Sequence, residues 1–101
     1  MIKINLEFLS WLSQTLGIEE SSGSLRFDLE VEGASSVREL LAQMAGRYPG
    51  FAQAVFDTRL QKLDDKVCIF FNGRQLELEN GLETRLQEGD SLVFLPLIQG
   101  G

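Results

Sequence analysis

Ile2, Ile4, Leu6 and Phe8 alternate with Lys3, Asn5 and Glu7. That period of two predicts a strand with one face in a core. Leu25, Phe27, Leu29 and Val31 alternate in the same way with Arg26, Asp28 and Glu30, a second strand that Gly33 ends. Between them the spacing predicts a short helix over residues 10–16, with Ser10 as N-cap, Leu12 and Leu16 on one face, and Gly17 as its stop. Residues 19–24 are polar, contain Gly23, and read as an exposed loop. The period then changes. Ser36-Val37-Arg38-Glu39 is a capping box, in which side chains at both ends satisfy each other's free amides. Val37, Leu40, Leu41, Met44 and Tyr48 follow at helical spacing as one apolar stripe. Such a stripe packs on a sheet far more often than it lines a ligand site. Pro49-Gly50 stops the helix.

Residues 51–63 are the least regular stretch, with a short turn of helix expected near 52–56, and Asp64-Asp65-Lys66 reads as a solvated turn. Val67, Cys68, Ile69, Phe70 and Phe71 are apolar on both faces, as an inner strand is. Asn72-Gly73 is a hairpin signal, because both residues tolerate positive φ. Residues 75–78 read as the returning strand, short and charged like many edges. Asn80-Gly81 makes a further turn, residues 82–86 a compact connection, and Gly89-Asp90 introduces the last strand. Val93, Phe94 and Leu95 are β-formers, and Pro96 is expected to close that strand because it lacks an N–H. Val93 and Leu95 point opposite to Leu92 and Phe94, away from the helix-covered face. The order is strand, small helix, strand, helix, then three strands: an α+β domain with one main helix on one face of a sheet. No repeat, linker or low-complexity segment interrupts it.

The 101 residues suffice for one core and one domain, spanning 1–101 with a flexible tail over about 97–101. Nine Lys and Arg against fifteen Asp and Glu give a net charge of −6, which argues against nucleic-acid binding. With no histidine and one cysteine, the chain cannot build a Cys/His zinc site, a Ser-His-Asp triad, a Cys-His pair or an internal disulfide. The N-terminus alternates where a signal peptide would be continuously apolar, and no apolar run nears the roughly 20 residues that span a bilayer. A soluble cytoplasmic protein is the expectation.

What remains as candidate chemistry is the end of the chain. After Pro96 come Leu97, Ile98, Gln99, Gly100 and Gly101. A terminal Gly-Gly has no Cβ to obstruct a narrow channel and almost unrestricted dihedrals, so its carboxylate is unusually accessible. This reading makes the function a reaction done on Gly101 by another protein.

The stretch Asn72-Gly73-Arg74, then residues 81–90 ending in Gly89-Asp90, then Val93-Phe94-Leu95-Pro96 and Gly100-Gly101, resembles the ubiquitin-like β-grasp sulfur carriers, specifically the small subunit of molybdopterin synthase and its relatives. The resemblance implies a five-stranded mixed sheet in the order 2-1-5-3-4, with strands one and five parallel at its centre. It also implies a cycle. An E1-like adenylating enzyme uses ATP and magnesium to convert the Gly101 carboxylate into an acyl-adenylate, and a sulfur donor protein turns that into a thiocarboxylate. The large catalytic subunit of molybdopterin synthase then receives the tail. On this resemblance the chain itself binds no cofactor or metal. Pro96, Leu97, Ile98, Gln99 and Gly100 would thread the partner. Independently of the resemblance, Val93 and Leu95, turned away from the helix, suit either an apolar docking patch beside the tail that Leu97 and Ile98 extend, or a minor core under residues 51–63. From Pro96 to Gly101 the extended chain spans at most about 20 Å, enough to enter a buried site. Two positions depart from the relatives: Pro96-Leu97 stands where many carry Pro-Pro, and Glu7 where relatives of the bacterial molybdenum type often carry an aromatic.

Other assignments compete. The same tail suits a sulfur carrier for thiamin, tRNA thiolation or a sulfur amino acid. It equally suits a ubiquitin-like modifier joined to lysines through Gly101, or a β-grasp interaction module whose Gly-Gly is incidental. Cys68, mid-strand among apolar residues, reads as a small inert hydrophobe rather than a sulfur acceptor. Trp11 is as readily part-buried beside the small helix as an exposed contact, and Glu77-Leu78-Glu79 reads as a solvated edge.

Overall fold

The computed structural model describes residues 1–9, 12, 15–17, 24–77 and 80–97. Strands β1 (Ile2–Leu9) and β2 (Ser24–Val31) form an antiparallel pair, with Leu6 opposite Phe27. Helix α1 (Val37–Arg47) follows, then α2 (Pro49–Ala54) and a two-stranded ribbon of β3 (Phe56–Asp57) and β4 (Lys62–Leu63). Strand β5 (Val67–Phe71) turns at Asn72-Gly73 into β6 (Arg74–Gln75), and a 3-10 turn (Gly81–Glu83) leads to β7 (Ser91–Pro96). The main sheet runs β2-β1-β7-β5-β6, with β7 parallel to β1 and antiparallel to β5. Numbering only its five strands gives 2-1-5-3-4, the order that the resemblance implied. The extra ribbon moves the labels, not the topology.

The helix stripe does what its spacing predicts. Val37, Leu40, Leu41 and Met44 are buried, with Ala45 beside them, over the face that carries Ile4, Leu6, Phe8, Leu92 and Phe94. The cap is formed reciprocally: Ser36 Oγ accepts the Glu39 N–H at 3.1 Å, and Glu39 Oε1 accepts the Ser36 N–H at 3.0 Å. Phe8 and Phe94 stack at 4.5 Å between centroids, and Phe51 meets both edge-on at 5.9 and 6.1 Å. This cluster ties the centre of β7 to β1 and α2.

Several expectations need correction. Helix α1 ends at Arg47, but Pro49 does not simply terminate helix; it opens α2 at the first helical position, where a missing N–H costs nothing. The turn of helix expected near 52–56 is α2, which lies earlier, at Pro49–Ala54; the rest of the irregular stretch holds the β3–β4 ribbon, whose two-residue strands are too short to show a period. The returning strand expected over residues 75–78 is Arg74–Gln75. The Leu76 N–H still bonds to the Ile69 carbonyl at 2.8 Å, after which the chain turns toward the 3-10 segment. Of the helix expected over residues 10–16, Leu12 and Leu16 are buried in the core; Ser10 and Trp11 lie outside the described residues, as do 19–23 of the expected loop, whose last residue, Ser24, instead opens β2, and Leu78 and Glu79.

Candidate functional site

Strand β7 is the element on which the site rests, and two turns set its position. Asn72 and Gly73 adopt φ of +50° and +87°, the double positive φ of a tight hairpin. Asn72 then clamps the start of β7, its Nδ2 donating to Asp90 Oδ1 at 3.0 Å and its Oδ1 accepting the Ser91 N–H at 2.8 Å. Asp90 Oδ2 accepts the Gln87 N–H at 2.8 Å, closing the Gly89-Asp90 turn. The two turn motifs, distant in sequence, form one polar junction.

From that junction β7 runs down the middle of the sheet. Leu92 and Phe94 enter the core, whereas Val93, Leu95 and Leu97 face the other side, as the alternation predicted. Register assembles their surroundings. Val93 lies between Glu7 of β1 and Phe70 of β5, and Leu95 lies opposite Cys68. Val93, Leu95 and Phe70 are partly buried, and Leu97 is 43% exposed. The result is an apolar strip on the open face, bordered by Glu7, which accepts a bond from Arg26 at 3.1 Å. Glu7 therefore sits on the outward face, as expected.

Pro96 is the last residue of β7, opposite Val67, but the ladder continues past it. The Leu97 N–H donates to the Lys66 carbonyl at 2.8 Å. Odd-numbered residues of β7 turn their polar groups toward β5, as Ser91 does in accepting the Asn72 N–H at 2.9 Å. The proline nitrogen thus falls on the β1 side, where the pairing ends at Phe8 and Phe94, so the missing N–H closes the ladder with β1 while the ladder with β5 continues. Ile98, Gln99, Gly100 and Gly101 lie outside the described residues.

Cys68 is buried on the open-face side of β5 and does not belong to the main core cluster, and burial pushes its thiol pKa up. A raised pKa leaves little thiolate, so the residue is poorly suited to attack or accept sulfur. Sequence reasoning missed Phe70 as a member of the strip. Its only signal was an inner strand apolar on both faces; membership depends on the Phe70–Val93 register. Two clefts, about 560 Å³ beside β6 and the 3-10 turn and about 200 Å³ beside the β3–β4 ribbon, take no lining from β7. No described helix is long and apolar enough to cross a membrane.

Comparison with known proteins gives the same picture. Residues 18–101 match the ThiS family. A protein of Archaeoglobus fulgidus named as a sulfur carrier is 30% identical over 81 residues, covering 80% of this chain and 88% of that one. Small archaeal modifier protein 1 of Haloferax volcanii superposes with a TM-score of 0.72 at 21% identity, over 97% of this chain and 100% of that one. A Pyrococcus furiosus protein named as subunit 1 of a molybdopterin converting factor gives 0.71 at 21% identity, over 97% and 100%. The strand order, the buried stripe of α1 and the family match lead to one assignment: the chain belongs to the ThiS family and is a ubiquitin-like β-grasp protein of the sulfur-carrier kind.

Proposed function

We propose that this protein carries sulfur on the carboxyl end of Gly101, as the small subunit of molybdopterin synthase. The observation that carries the reading is β7. It is a rigid central strand, locked by Phe8 and Phe94 on one face and bearing an apolar strip on the other, and it leads directly into the Gly100-Gly101 sequence. The carboxylate is a poor electrophile. An E1-like adenylating enzyme, using ATP and magnesium, joins it to the nucleotide and releases pyrophosphate. Sulfide delivered by a sulfur donor protein then adds to the carbonyl carbon, AMP leaves, and a thiocarboxylate remains. The carrier supplies no acid or base. It supplies a docking face and a reach: the four residues beyond Leu97 span at most about 14 Å when extended. A tethered thiocarboxylate meets the docked acceptor at high effective concentration. In this reading the large catalytic subunit of the synthase is that acceptor's host, and the compartment is the cytoplasm.

The name of the Pyrococcus furiosus protein supports the molybdopterin assignment, while that of the Haloferax volcanii protein favours a second reading, attachment to other proteins. Both begin with the same adenylate, so the products must separate them. Intact mass spectrometry of the native protein, with and without mild alkylation, is the test. We expect an oxygen-to-sulfur mass gain on the Gly101 fragment, captured by alkylation, and co-purification with a larger subunit. A plain carboxylate together with Gly-Gly remnants on lysines of other proteins would replace sulfur carriage with modification. Removing Gly101 is expected to leave folding intact and abolish adenylate formation; adenylation at a normal rate would refute the reach argument.

A further inference from the structure

Strand β2 is the outer strand of the main sheet, eight residues long, and no described strand pairs with its far side. Which of its main-chain groups face outward follows from β1. The Lys3 carbonyl accepts the Gly89 N–H at 2.9 Å and the Asn5 N–H donates to the Asp90 carbonyl at 2.9 Å. Odd-numbered residues of β1 thus turn toward β7, and even-numbered ones toward β2. Leu6–Phe27, Ile4–Leu29 and Phe8–Leu25 are then the bonded pairs of the β1–β2 ladder, and the N–H and C=O of Arg26 and Asp28 face outward. Gln43 Nε2 reaches the outward Glu30 carbonyl at 3.4 Å, which covers that end of the edge.

We propose that a second copy of this chain docks on this edge, β2 against β2, antiparallel about a two-fold axis through Phe27. In that register Arg26 of each copy faces Asp28 of the other. These are the residues with outward main-chain groups, so the two pairs exchange four N–H···O=C bonds. Both side chains lie exposed on the open face. Arg26 gives one donor to Glu7 at 3.1 Å and keeps others for Asp28 across the seam. Phe27, partly buried and stacked on Phe8 at 6.1 Å, meets its own copy at the close, non-bonded position, where aromatic pairs are favourable. Sliding by two residues along one strand sets Arg26 against Arg26 or Asp28 against Asp28. Sliding by one sets outward-facing groups opposite inward-facing ones. Of these registers only the one centred on Phe27 pairs Arg26 with Asp28 on the ladder and sets no like charges face to face. Strand β7 lies two strands inward, about 12 Å from the seam, so the tails leave in opposite directions from a continuous ten-stranded sheet and each stays open to a partner.

Sedimentation equilibrium of the full chain from micromolar to millimolar concentration tests this. The mass average is expected to rise from 11.3 kDa toward twice that value. Arg26→Asp and Asp28→Arg each create two like-charged pairs and are expected to weaken association roughly tenfold. The double swap R26D/D28R is expected to restore it. Thermal melting by circular dichroism checks that each variant folds. As an independent readout, Phe27→Cys in a Cys68→Ala background is expected to form an intermolecular disulfide on mild oxidation, since facing Cα atoms in this register fall within disulfide range. A chain that stays monomeric at millimolar concentration without that crosslink overturns the proposal, as does a dimer that the double swap fails to restore.

Discussion

Asn72 shows how much one side chain contributes here. It supplies a positive φ of +50° for the hairpin and both bonds that clamp β7 to the end of β5. Asn72→Gly keeps the backbone freedom and removes the bonds; Asn72→Ala removes both. We expect Asn72→Gly to lose about 1–2 kcal/mol in urea denaturation, and Asn72→Ala more. Equal midpoints for wild type and Asn72→Gly would show that the main chain alone holds the junction. Cys68 offers a contrasting test. Desolvation raises its pKa, so the unfolded thiol ionises first as pH rises. Above that point the unfolded state binds fewer protons, and stability falls with increasing pH. Cys68→Ala is therefore expected to flatten the alkaline side of the stability curve, and the native thiol to react with iodoacetamide far more slowly than the unfolded one.

At the scale of elements, the helices depend on local chemistry at their ends. Hydrogen bonds from the Ser36 N–H and then its hydroxyl hold the Glu39 carboxyl below its ordinary pKa. The half of the capping box that the Glu39 carboxylate supplies is consequently at full strength above the ordinary carboxylate range and weakens as pH falls through the lowered pKa, while the Glu39 N–H bond to Ser36 Oγ persists. Ser36→Ala is expected to cost about 1 kcal/mol at neutral pH, with the difference from wild type shrinking in acid. A pH-independent difference would mean that Ser36 acts through its bond to the Glu39 N–H alone and not through the Glu39 carboxyl. Helix α2 depends on close approach. A Cβ on Gly50 would run into the carbonyl oxygen of Thr15, which is backbone and cannot swing aside. Gly50→Ala is expected to destabilise by about 1–3 kcal/mol, read from the denaturant midpoint. A neutral result would show that the α2 end moves freely.

At the scale of the molecule, the two faces of the sheet carry different duties. The helix-covered face holds the fold, and the open face of β7 offers Val93, Leu95 and Leu97. Leu97→Asp places a charge on a residue 43% exposed, so stability should change by no more than about 0.5 kcal/mol. On the proposed reading the same change is expected to weaken capture by the activating enzyme at least tenfold, measured as the substrate concentration giving half-maximal pyrophosphate release. Unchanged capture would remove Leu97 from the docking surface.

The sequence by itself determined the local answers. Alternation placed β1, β2 and β7 and chose the inward face of each, because a side chain on a pleated strand has only two directions. Ser36 to Glu39 located the start of α1, and Asn72-Gly73 the hairpin, because capping and positive φ are decided within four residues. Tertiary structure decided what depends on register and distant pairing. That Phe70 stands beside Val93, that Asn72 clamps Asp90, and that the ladder outlasts Pro96 follow from which strand lies next to which, and at what offset. The short strands of the β3–β4 ribbon and of β6 exist because neighbours bond to them, since two residues cannot display a period. Even the parallel pairing of β1 with β7 joins residues more than eighty positions apart, a contact that burial of Phe8 against Phe94 selects and no local pattern encodes.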